Sequence, residues 1–145
     1  QLQYDFIIID TDTYEGIMNF NLQDSEKIYF ATSFDAYSLK KGLEALNQLE
    51  VPLKMTRLFY SKEMLKQEED YFEYLALGKK VVWSEDKVYF LLENGDQATL
   101  IENQRIQKIK LRNLSNEYKE NISYIVSCID KELDEKQIKL IIKNL

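Results

Sequence analysis

An α/β fold organised on a mainly parallel sheet is what this sequence predicts, and three observations point to it. Short apolar runs at Phe6 to Ile9, Lys27 to Ser33, Leu53 to Tyr60 and Lys80 to Trp83 are too brief for independent helices, and most end in polar or hydroxyl-bearing residues. Longer stretches between them carry apolar residues at spacings of three and four, the period of a helix with one buried face. Finally, the run Phe6 to Ile9 is apolar at consecutive rather than alternate positions, which is the habit of a parallel strand covered on both faces.

The first run is expected to be a central strand ending in Asp10, Thr11 and Asp12. Two carboxylates and a hydroxyl would then stand at the carboxyl end of a strand, where open α/β sheets place their ligand crevice and where Mg²⁺ finds a rigidly held oxygen. The plainer alternative is a strand that stops in a turn. The run from Lys27 is the second strand, and Asp35 and Ser38 are amino-terminal caps for a helix to about Leu49 through Leu39, Leu43 and Leu46. Val51-Pro52 breaks that helix and opens the third strand. A helix from Ser61, with Met64 and Leu65 among its first apolar positions, is ended by Gly78. The fourth strand is short. Ser84-Glu85-Asp86 is then expected to cap a helix through Leu92 with Asn94-Gly95-Asp96 as its turn, a β-hairpin being the competing arrangement. A mixed stretch from Ile101 leads into a helix from Asn116 to about Leu133, with Tyr118, Ile122, Ile125, Val126 and Ile129 on one face.

Composition prunes the functional classes. At 145 residues, 45% hydrophobic and 30% charged, the chain suits one domain that needs no disulfide. A net charge of −6 and a pI near 4.8 argue against general nucleic-acid binding. With no histidine, Ser/His/Asp and Cys/His nucleophilic systems and His-ligated zinc are excluded. Cys128 is alone in an apolar helical pattern and reads as a buried thiol in a reducing compartment. The absence of a span-length apolar run leads to a cytoplasmic expectation, and a strand this near the first residue, with no initiator Met, suggests part of a longer polypeptide.

Tyr4 to Thr11, with Gly16 beyond it, resembles the Walker B strand and switch entry of the MinD/ParA family of P-loop ATPases, including its CpaE/TadZ-like members. Ala31 to Leu39 resembles the next strand and helix start. Ser84-Glu85-Asp86 resembles the approach to the base-binding loop, and Leu114 to Ile129 the final helix. The resemblance runs through almost the whole chain in order and implies an incomplete three-layer, SIMIBI-type P-loop NTPase-like domain over residues 1–133, lacking its phosphate-loop half, with 134–145 as an amphipathic helix or tail. It implies that Asp10 holds Mg²⁺ and that Thr11, Asp12 and Gly16 belong to a switch reporting the γ-phosphate of ATP. It departs in lacking any Gly-rich loop ending in Gly-Lys-Ser/Thr, so the chain alone is not expected to hydrolyse ATP, and Mg²⁺ and ATP belong to a complete parent. Asp12 also stands where the family has proline, Tyr60-Ser61 replaces its usual Asn, and Trp83-Ser84 its Ile-Pro. In the family the phosphate-loop strand lies between the first two strands seen here, so they should pair directly or with a second copy, or leave a gap for the upstream half.

The implied role is regulatory or positional, in partnership with a machine such as a secretion or pilus apparatus; the rival is a non-catalytic interaction domain with a degenerate nucleotide site. In the tail, Ile138, Ile141 and Ile142 lie between Lys136, Lys139 and Lys143. That pattern reads first as a docking helix and second as a peripheral contact at the inner membrane face, which the resemblance to MinD sharpens. Lys108, Lys110 and Arg112 alternate and would share one face of a strand, most simply a solvated edge. The acids Glu68, Glu69, Asp70 and Glu73 read as a wet helix face, and the ten tyrosines as core and rim.

Overall fold

A computed structural model of the protein describes residues 5–11, 14–61, 63 and 66–145. Three strands, β1 (Tyr29–Ser33), β2 (Leu53–Ser61) and β3 (Val81–Leu91), form an all-parallel sheet in the order β1-β2-β3. Parallel neighbours require a crossover, and helices α2 (Ala36–Ala45) and α3 (Lys66–Ala76) provide the two links. A short α1 (Tyr14–Met18) precedes β1, and α4 (Asn94–Ile106), α5 (Asn116–Ile129) and α6 (Glu135–Asn144) follow β3. The α/β class and the parallel sheet are therefore as the sequence predicts.

The sheet has one core on each face. On the first, Leu39, Leu43 and Leu46 from α2 and the turn after it meet Met55 and Phe59 of β2 and Phe72 of α3. Phe59 stands edge-on to Phe72 with centroids 5.1 Å apart and stacks on Phe34 at 4.7 Å, so aromatic geometry adds to area burial. On the second face Leu58, Val88 and Phe90 pack against Tyr118 of α5 and Ile138 and Ile142 of α6. Two helical layers on one sheet make a three-layer sandwich.

Local signals account for most boundaries. Asp35 caps α2 through its carboxylate and the Ser38 N–H at 2.9 Å, and Gly78 ends α3 with a φ of +76°, a conformation that costs a Cβ-bearing residue energy. Ser115 caps α5 and Asp134 caps α6, the latter with Gln137 reaching back to the Asp134 N–H at 2.8 Å. The helix placed from Ser61 begins at Lys66; Lys62, Met64 and Leu65 lie outside the described residues.

Five expectations need correction. Phe6 to Ile9 joins no strand, and these residues are 51%, 71%, 84% and 43% exposed, so it is not an interior strand of the described sheet. Nor does β1 pair directly with it; β1 is an edge among the described strands. Residues 84–92 form neither helix nor hairpin, because β3 runs unbroken to Leu91 through a bulge. Across it Met55 faces Trp83 but Arg57 faces Lys87. Ser84 holds the bulge, its hydroxyl donating to Thr56 Oγ1 at 2.9 Å while its carbonyl accepts from Arg57 Nη2 at 3.0 Å. Residues 94–96 open α4 rather than forming a turn, and Lys108, Lys110 and Arg112 lie in a connector instead of a strand.

Candidate functional site

The open flank of β1 faces a cavity of about 1580 Å³. Residues 5–11 and residues 27–33 both line it, together with Tyr37, Ser38 and Lys41 of α2 on one face of the sheet and Ile129 of α5 from the other layer. Its walls thus come from a segment outside the sheet, a sheet edge and both helical layers. A five-residue strand, at about 3.3 Å per residue, 4.8 Å between strands and 10 Å between layers, needs roughly 800 Å³, about half of this volume. In the β1·β2 ladder the Thr56 N–H donates to the Ile28 carbonyl at 2.9 Å, which turns the backbone groups of alternate residues, Tyr29, Ala31 and Ser33, toward the cavity.

Asp10 and Thr11 from the first segment, and Thr32 and Ser33 from the carboxyl end of β1, contribute polar groups to this cavity. Asp10 is exposed, Thr11 and Ser33 are half-buried and Thr32 is buried. Thr32 Oγ1 donates to the Ser33 carbonyl at 2.9 Å, and the Ser33 hydroxyl donates to Asp35 Oδ2 at 2.5 Å. That hydroxyl first, and then the Ser38 N–H, hold the Asp35 carboxyl down at about 2, so it is a fixed anion in the helix cap. Thr11 and Gly16 are both engaged with neighbouring groups, Gly16 half-buried within α1. Asp12 lies outside the described residues.

Among the described residues no three acidic or thiol groups cluster as metal ligands. Mg²⁺ commonly takes only one or two protein carboxylates and completes its shell with phosphate oxygens and water, so a single exposed carboxylate such as Asp10 is compatible with part of such a shell. Ser84-Glu85-Asp86, expected at the approach to a base-binding loop, sits within β3 at the bulge, away from the strand ends.

Sequence reasoning missed Asp96. This side chain is 1% exposed; it accepts from the Ser115 N–H at 2.6 Å, the Ser115 hydroxyl at 2.8 Å and the Glu93 N–H at 3.1 Å, tying the starts of α4 and α5 together beyond β3. Its spacing of three from Glu93 was the available signal, obscured by the Asn-Gly that suggested a turn. Cys128 is half-buried beside Tyr124, whose phenol is pushed up by burial and then by Cys128 and Asp86.

In the tail the structure divides the named residues. Ile138 and Ile142 are 2% and 5% exposed in the second core, whereas Lys136, Lys139, Ile141 and Lys143 face solvent. No helix among the described residues is long and apolar enough to cross a membrane. No family model, no curated protein and no solved structure matches this chain.

Proposed function

We propose that the chain is part of a MinD/ParA-like ATPase domain, with a regulatory or positioning role and completed by a strand that enters the cavity beside β1. The observation that carries this is the cavity itself, which exceeds a strand in volume and has an open sheet edge on one side and the Phe6–Asp10 segment in its wall. A strand there would pair with Tyr29, Ala31 and Ser33 and cover Phe6 to Ile9, whose burial is worth about 1.5–3 kcal/mol per large side chain. The P-loop family supplies such a strand from its phosphate-loop half. Asp10, with Thr11 and Ser33, would then hold Mg²⁺, which neutralises phosphate charge when bound. Alone, the chain has neither the Gly-rich cradle nor its lysine, so it does not turn over ATP.

Titration calorimetry with Mg–ATP on the longest natural polypeptide containing residues 1–145 tests the proposal. Saturable binding that Asp10→Ala weakens by about tenfold or more, equal to about 1.4 kcal/mol, is the expected result. Absence of nucleotide binding in that polypeptide would sink it. The exposed apolar segment Phe6 to Ile9 favours one second reading, a non-catalytic domain whose open edge takes a strand from a protein partner.

A further inference from the structure

A second concavity lies between α5 and α6, about 300 Å³ in volume. Arg112, Lys119, Lys139 and Lys143 line it against a single acid, Glu120, and Ile142 contributes an apolar surface. In a chain with a net charge of −6 this is a local reversal of sign. Two of the cations are occupied: Lys119 Nζ donates to the Arg112 carbonyl at 2.9 Å and Lys139 pairs with Glu135. Among the described residues the Arg112 guanidinium and the Lys143 ammonium have no hydrogen-bond or ion-pair partner. The fold thus keeps two uncompensated positive charges together on one groove, where a matching anion relieves their repulsion.

We infer that this groove docks an acidic segment of a protein partner, its carboxylates pairing with Arg112 and Lys143. The charge of the lining selects the sign of the occupant, and a concave space of this size admits a few side chains of a protruding segment rather than a flat surface. A bilayer fits less well, because two of the three isoleucines that would enter it, Ile138 and Ile142, are buried in the chain's own core and only Ile141 of the three is exposed. The inference does not depend on nucleotide binding.

Fluorescence anisotropy of the whole chain with a labelled Asp/Glu-rich peptide, and with its Asn/Gln counterpart, provides the test, with amide shifts mapping the contact. The acidic peptide should bind, shift amides in 116–123 and 139–143, and lose affinity as salt rises. Joint Arg112→Glu and Lys143→Glu substitution should weaken it by about tenfold or more, as expected for two surface pairs turned repulsive. Lys54→Glu with Lys66→Glu, the same net charge change at exposed sites elsewhere, should leave affinity within about twofold of the parent, and circular dichroism should show both variants folded. Equal binding of the neutral peptide, shifts outside the groove, or equal loss in both variants would overturn the inference. So would failure of the acidic peptide to bind, including the case in which phosphatidylserine vesicles sediment the chain.

Discussion

Truncating Asp96 strands three donors in the interior at once: the Ser115 N–H, the Ser115 hydroxyl and the Glu93 N–H. Asp96→Ala should therefore cost about 2–4 kcal/mol in urea unfolding, more than an exposed cap, and Asp96→Asn should recover part of it by keeping one acceptor oxygen. A loss under about 0.5 kcal/mol would show that water satisfies these groups. Asp35 acts through charge. Its carboxyl is lowered from 3.8 to about 2 by Ser33 and Ser38, so the folded state binds its proton less readily than the unfolded chain. The contribution is complete above the unfolded value and disappears as pH falls through about 4 to about 2. Asp35→Asn should flatten the stability profile in that window, measured by chemical denaturation at successive pH values, and leave it unchanged near neutrality apart from a constant offset.

Among the elements, α6 separates a docking helix from a membrane helix most cleanly. Ile142→Ala removes a buried side chain from the second core and should destabilise by about 2–4 kcal/mol, whereas Ile141→Ala, on the exposed side, should stay within about 0.5 kcal/mol. Thermal unfolding of the pair decides it; equal effects would mean that α6 is not seated as described. Elements with an uninterrupted period were legible in the sequence: β2, α2 with its Asp35 cap and α5 with its apolar stripe all fall close to where periodicity puts them. β3 was not, because Ser84 to Lys87 interrupts the apolar run with four polar residues that look like a cap and are in fact a bulge bound to Thr56 and Arg57. The first run failed for a different reason. Phe6 to Ile9 has the composition of an interior strand, but composition cannot supply the neighbour that would bury it.

For the molecule as a whole, the open flank of β1 is the property that matters. Tyr29, Ala31 and Ser33 turn their backbone groups into the cavity, so their amides should exchange with deuterium far faster than those of β2 in this chain, and become protected once a strand is added. Slow exchange at these positions in the isolated chain would show that the edge is already satisfied. Ile8→Lys should leave stability within about 0.5 kcal/mol while lowering self-association in a sedimentation experiment, since the residue is 84% exposed. Of the candidate site, the cluster at Asp10 and Thr11 was visible as acids and hydroxyls ending an apolar run. The convergence of Thr32 and Ser33 on the same cavity was not, because it depends on how two non-adjacent segments are spaced in three dimensions.

The bulge in β3 has a consequence for length variation. Met55 answers Trp83 and Arg57 answers Lys87, so the excess on β3 is an even number of residues and inside and outside are preserved across it. Excising Glu85 and Asp86 together would keep Val88 and Phe90 pointing into their own layer, whereas excising Glu85 alone would turn every later side chain of that ribbon through to the opposite layer. Indels at this spot should therefore be tolerated in twos and rejected singly.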